Sequence, residues 1–148
     1  IKAGSVNWGQ LFAVQPFGNR IQRVELTGAE LLAVLEEQFT EARTNILQIS
    51  GLTVHLDLTK PLGSRVVSVT TADGAPLDPK KTYKVAANAF LADGRHGYPK
   101  LKVARNREDI GDDLTALVDY LRANGAKVPT AASGRIVIDK GALPTDMH

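Results

Sequence analysis

With 148 residues the chain has the size of one ordinary domain and enough length to bury a core. Its 43% hydrophobic and 23% charged composition is that of a globular protein, and no apolar run approaches the roughly 18 residues of a membrane-spanning helix. A net charge of +2 with scattered Lys and Arg offers no basic patch to nucleic acid, and the absence of cysteine removes disulfides, thiolate zinc sites and a cysteine nucleophile.

The chain opens Ile1-Lys2-Ala3-Gly4-Ser5, without a Met and without the basic and apolar segments of a signal peptide, a pattern expected of a piece cut from a longer polypeptide. Asn7 can cap a short helix from Trp8 to about Val14, which Pro16 should end. After the Phe17-Gly18-Asn19 turn, Ile21 to Leu26 reads as a strand with Gln22, Val24 and Leu26 inward. Thr27-Gly28-Ala29-Glu30 has the spacing of a capping box, and the helix it opens is expected to run to about Ala42 on the spacing of Leu31, Leu32, Leu35 and Phe39.

Ile46 to Ile49 and Leu52 to Leu58 read as strands, interrupted at Ser50-Gly51; alternation in the second puts His55 on the polar face. Arg65 to Thr70 is a further strand, Asp73-Gly74 a hairpin-type turn, and Thr82 to Ala87 a strand feeding the turn-rich stretch from Asn88 to Pro99. From there the chain is polar as far as Asp109. Asp112 or Asp113 should cap a helix to about Ala123, with Leu114, Leu117, Val118 and Leu121 inward and Gly125 as its stop. Ile136 to Ile138 gives a last strand, and residues 139–148 read as tail or linker after a domain of residues 1–138. Two helices among many short strands, without alternating βα units, indicate a single α+β domain with a mixed or antiparallel sheet.

The three histidines, His55, His96 and His148, stand far apart and outside any metal-ligand pattern, so no metal site is expected in this chain. A Gly-x-Ser-x-Gly elbow and a phosphate-binding loop are both missing, and no catalytic residue is assigned. What remains is chemistry in two turns. Phe17 and Phe90, two of only eight aromatic residues (four Phe, three Tyr, one Trp), each lie in or beside a turn. Planar apolar faces there suit stacking against a flat heterocycle, and they equally suit covering the ends of a sheet as core.

Five segments occur in family order: Gln-Pro-Phe-Gly-Asn at 15–19, Leu-Thr-Gly-Ala-Glu-Leu at 26–31, Leu-Gln-Ile-Ser-Gly at 47–51, Leu-Asp-Pro-Lys-Lys-Thr-Tyr-Lys-Val at 77–85 and Phe-Leu-Ala-Asp-Gly at 90–94. Together they resemble the C-terminal domain of bacterial and animal 5′-nucleotidases, over nearly the whole chain to about Ile138. The resemblance implies an α/β/β/α layered substrate-binding domain. Its partner would be an N-terminal metallophosphatase domain of the same polypeptide, holding two divalent metal ions, in an extracellular, cell-surface or periplasmic hydrolase of nucleotide phosphate esters. It implies Phe17 and Phe90 as the rings that sandwich the base and Asn19 as a partner for the base edge.

The family usually reads Gly-Gly-Asp-Gly where this chain has Gly94-Arg95-His96-Gly97, so His96 replaces an Asp that accepts from the ribose hydroxyls. Neutral imidazole has one acceptor nitrogen where a carboxylate can take both hydroxyls. The expected outcomes are weaker nucleoside binding, compensation by Asp93, or a cyclic or 3′-phosphorylated substrate contacted by Arg95. The same domain also occurs in 2′,3′-cyclic-nucleotide phosphodiesterases/3′-nucleotidases and UDP-sugar hydrolases. A stand-alone, non-catalytic binding module is the reading from a different class.

Overall fold

The computed structural model describes residues 4–125 and 134–143. Helix α1 (Trp8–Val14) starts on a full capping box: Asn7 Oδ1 accepts from the Gln10 N–H at 3.0 Å and Gln10 Oε1 from the Asn7 N–H at 2.9 Å. Strand β1 (Arg20–Thr27) follows and runs directly into α2 (Gly28–Glu36). Thr27 and Glu30 make the expected reciprocal box at that junction. The chain continues through β2 (Leu52–Asp57), β3 (Val66–Thr71), β4 (Thr82–Asn88) and a single turn of helix, α3 (Ala89–Ala92). A 3-10 turn (Pro99–Val103), β5 (Arg105–Asp112), α4 (Asp113–Asn124) and β6 (Ile136–Lys140) complete it.

These elements form α+β architecture with two three-stranded sheets. The first has the order β4-β1-β5 and is antiparallel throughout; the second, β3-β2-β6, is mixed, because β6 lies parallel to β2. Helix α2 serves both. Its Leu31 and Val34 pack with Val24 and Leu26 of β1, together with Ala92, Tyr98 and Leu101, while Leu35 joins Val54, Leu56, Val69 and Phe39 under the second sheet. The helix is thus hydrophobic on two sides, as burial between two cores requires.

Several expectations need correcting. Helix α2 stops at Glu36, not near Ala42, because Gln38 turns inward and takes over the backbone: its Nε2 donates to Leu35 O at 2.8 Å and its Oε1 accepts from the Leu47 N–H at 2.9 Å. Phe39 is buried as expected, but beyond the helix end, and Leu32 points outward. Ile46–Ile49 is not a strand; that run is irregular and packs Ile46 and Ile49 against the second core. The polar stretch between Pro99 and Asp109, for which no element was expected, divides into the 3-10 turn and the start of strand β5, which is held to β1 by ion pairs of Arg20 with Asp109 and Arg23 with Glu108. Strand β6 also runs through Lys140, two residues into the stretch read as tail; residues 144–148, including His148, lie outside the described residues.

Candidate functional site

The register of β1 decides where the two aromatic turns lie. Ile21 pairs with Asn88 of β4 and Arg20 with Asp112 of β5. The chain enters β1 immediately after Phe17-Gly18-Asn19 and leaves β4 immediately before Ala89-Phe90. Antiparallel pairing therefore delivers both turns, and the start of α4, to one end of the first sheet.

Phe17 is 74% exposed and Phe90 37% exposed, so neither ring is spent on covering the sheet. Gly18 between Phe17 and Asn19 has φ +58°, a left-handed bend that glycine adopts without strain. The turn hangs on Asp113, the first residue of α4. Asp113 Oδ2 accepts from Gln15 Nε2 at 2.9 Å, from the Asn19 N–H at 3.1 Å and from Asn19 Nδ2 at 3.3 Å, and the Asp113 N–H donates to Asn19 O at 3.0 Å. Burial disfavours the Asp113 charge, but the bonds from Gln15 and Asn19 outweigh it and hold the carboxyl below its ordinary range. Asn19 thus spends one amide N–H and its backbone carbonyl on Asp113, which fixes its side chain at the turn.

The second turn is built from Asn88, whose side chain caps α3 by accepting from the Leu91 N–H at 2.8 Å. The Arg95 guanidinium carbon stands 5.3 Å from the Phe90 ring centroid, over its face, and the His96 ring meets Phe90 edge-on with centroids 4.9 Å apart. Asp93 is engaged: Arg107 of β5 donates to Asp93 Oδ1 at 3.0 Å and to Ala92 O at 2.6 Å. His96 has φ +58°, and its carbonyl accepts from Arg43 Nη2 at 2.7 Å and Asn45 Nδ2 at 3.3 Å. The structure therefore packs Arg95 and His96 against Phe90, ties Asp93 to Arg107, and sets Phe17 and Asn19 on a second turn at the same sheet end.

Sequence reasoning missed Asp113, Arg107 and Arg43 as the residues that hold these turns. For Asp113 a signal existed, since an acid at a helix start is over-determined for a cap alone; Asp112 is the cap, accepting from the Thr115 N–H at 2.8 Å, and frees Asp113 for the turn. Arg43 and Arg107 carried no local signal.

Among the described residues no three His, Asp or Glu side chains converge as a metal-ligand set. His55 pairs instead with Asp139 of β6, Nδ1 to Oδ1 at 3.1 Å, on the open face of the second sheet. A groove of about 350 Å³ between α1 and α4, lined by Val6, Trp8, Leu11, Val118 and Leu121, holds none of the six candidate binding residues. No helix among the described residues is long and apolar enough to cross a membrane.

Comparison with known proteins bears on this geometry. The sequence profile of the family described as 5′-nucleotidase, C-terminal domain, matches residues 1–103. A cell wall protein of Listeria monocytogenes is 39% identical over 137 residues, which is 89% of this chain and 18% of that protein. An apyrase of Aedes aegypti is 32% identical over 156 aligned positions, covering 98% of this chain and 28% of the apyrase. Among solved structures, a 5′-nucleotidase precursor from Thermus thermophilus superposes with a TM-score of 0.78 at 38% identity, over 90% of this chain and 28% of that one. The chain thus spans less than a third of the length of each of these relatives.

Proposed function

Because the chain belongs to the family of 5′-nucleotidase C-terminal domains, we propose that it is the nucleotide-recognition part of a metallophosphohydrolase. In this reading Phe17 and Phe90 grip the base while a preceding domain of the same polypeptide cleaves the phosphate ester. The family is one of hydrolases, and the described residues offer no metal-ligand set of their own. Two divalent ions, which would activate water and neutralise the phosphate, belong in this reading to that preceding domain. No catalytic step is assigned to this chain. The cell wall relative supports an extracellular or surface location for the whole protein.

The observation that carries the reading is the pair of exposed rings delivered to one sheet end by the β1 register. Exposed aromatic faces are unfavourable in water and favourable against a base. The Arg95 guanidinium already lies over the Phe90 face, so a planar cationic group occupies a position that suits a stacked base. Asn19, with its amide fixed by Asp113, presents a carbonyl acceptor suited to the amino group of a base. His96, beside Phe90, supplies one acceptor or donor to the sugar.

Titrating adenosine into the chain and into Phe17→Ala, Phe90→Ala and the double variant tests this. Each single change should weaken binding by about 1–3 kcal/mol, the range for one base–aromatic stack, and the double change should add little once the sandwich is broken. Affinities equal across all four proteins would end the clamp reading. A second reading, preference for 3′-phosphorylated or cyclic nucleotides, is favoured by Arg95, which among the described residues makes no ion pair with a carboxylate. It predicts that Arg95→Ala weakens adenosine 3′-phosphate more than adenosine 5′-phosphate.

A further inference from the structure

Residues 40–45 are remote in sequence from the Phe90 turn, yet they form its floor. Thr40 closes them into a tight loop: its N–H and its Oγ1 both donate to Arg43 O, at 2.9 and 3.0 Å, and Oγ1 accepts from the Arg43 N–H at 3.1 Å. Buried Phe39 and Thr44 bridge the base of the loop, so the Arg43 backbone is fixed on both sides. From there the guanidinium donates to His96 O at 2.7 Å. Asn45 adds its amide to the same carbonyl, and its own carbonyl accepts the hydroxyl of buried Tyr98.

Two features of the turn fit Arg43 in particular. Gly97 has φ +90°, and a Cβ placed on it would run into Arg43 Nη2, so the guanidinium fills the space that the missing side chain leaves. His96, which has a Cβ, sits at φ +58°, a conformation that costs a residue of its kind and persists only where the surroundings impose it. The Tyr98 N–H closes this turn on Arg95 O at 3.2 Å, and of the two side chains that bond the His96 carbonyl, Arg43 makes the shorter contact and Asn45 the longer. Among the described residues Arg43 makes no ion pair with a carboxylate, and its one side-chain hydrogen bond goes to this backbone.

We propose that Arg43 is a positioning residue for nucleoside recognition: by gripping the His96 carbonyl against Gly97 it sets the left-handed bend that holds the imidazole edge-on to Phe90, and so fixes the ring on which a base stacks. Arg43 itself touches no ligand. The proposal rests on the reading of Phe90 as half of a base clamp, and the test separates the two.

The His96 ring protons report the geometry directly, because the Phe90 ring current displaces them; their resonances in Phe90→Ala give the undisplaced reference. In the 148-residue chain, Arg43→Ala should move the His96 resonances toward that reference, and Arg43→Lys, which keeps a donor but not the flat contact with Gly97, should restore part of the displacement. Arg43→Ala should also weaken adenosine binding by about tenfold, a part of the loss expected from removing a whole stack, with the urea midpoint little changed. Should Arg43→Ala fail to fold, Arg43→Met, which keeps the apolar stem and removes every donor, carries the same comparison.

His96 resonances that stay in place without Arg43 would overturn the proposal, as would weakened binding without their movement. If Phe90→Ala leaves adenosine affinity unchanged, the clamp reading falls instead, and the His96 resonances still judge whether Arg43 sets the turn.

Discussion

Replacing Asp113 by alanine removes the acceptor from which the Phe17 turn hangs. Three donors lose their partner: Gln15 Nε2, the Asn19 N–H and Asn19 Nδ2, at 2.9, 3.1 and 3.3 Å. Hydrogen bonds to a charged acceptor contribute about 1.5–3 kcal/mol each when they are short and shielded. Here the two side-chain donors can turn to water, while the backbone N–H of Asn19 cannot easily do so. Relief of the unpartnered, buried Asp113 Oδ1 works in the opposite direction. The balance is a loss of about 2–3 kcal/mol for Asp113→Ala, or roughly 1 M in urea midpoint. Asp113→Asn keeps one acceptor oxygen and should lose about half as much.

Urea unfolding gives the global cost, and hydrogen exchange at the Asn19 amide gives the local one. The pH dependence follows from sign. The Asp113 carboxyl is held below its ordinary value of 3.8, so its anchoring is fully present above that value and is lost as pH falls through the lower folded one. The Asn19 amide resonance should therefore hold still above about pH 4 and move only below it. An unchanged urea midpoint in Asp113→Ala, together with unchanged exchange at Asn19, would refute the claim that α4 holds the turn.

Glu30 gives a second acid-sensitive contact. Its hydrogen bonds from Arg105, then from the Thr27 N–H, lower its carboxyl from 4.5 to about 2. The stability it contributes is complete above the ordinary value and falls away as pH drops toward 2, so urea midpoints of Glu30→Gln should be flatter than those of the parent across that window. An identical acid profile would show that the Thr27–Glu30–Arg105 cluster contributes nothing. Gly28→Ala should destabilise by about 1–3 kcal/mol through overpacking, because a Cβ there meets the backbone of Asp78 and Pro79, to which α2 is already tied by the Gly28 N–H to Lys81 O and the Ala29 N–H to Pro79 O bonds. Thermal unfolding measures it, and a melting temperature equal to the parent's would show that the 78–81 turn yields freely.

Local rules were legible where one residue type sufficed to state them. Asn7 and the Thr27–Glu30 box mark helix starts because orphan N–H groups need acceptors at fixed spacing, and β2 shows in the alternation of Val54 and Leu56 because one face is buried. The end of α2 was not legible, since the Leu31–Leu35–Phe39 spacing continues past Glu36; what stops the helix is a buried amide, Gln38, whose two partners lie on either side of it in the chain. Strand β5 was hidden for a related reason. Arg105 to Ile110 are all exposed, so no alternation is written into them, and their strand character resides in partners on β1. In the two turns, Phe17, Asn19, Phe90, Asp93, Arg95 and His96 could be named as candidates, with their binding roles coming from the family resemblance. Asp113 showed only as a surplus acid beside Asp112 at a helix start and Arg43 showed not at all, because each acts on a turn far along the chain.

Strand β1 is central in its sheet, and both its neighbours arrive late in the chain: Ile21 waits for Asn88 and Arg20 for Asp112. Each pairing closes a long loop, which is a slow step with a high entropic barrier. The two aromatic turns come to the same sheet end only after β4 has docked, and the Phe17 turn finds Asp113 only after β5 has. A ligand held by both turns would therefore recognise the finished domain alone. It would leave the folding rate nearly untouched and slow unfolding, and at about one hundred times its dissociation constant it would add about 2.7 kcal/mol of resistance to unfolding and proteolysis.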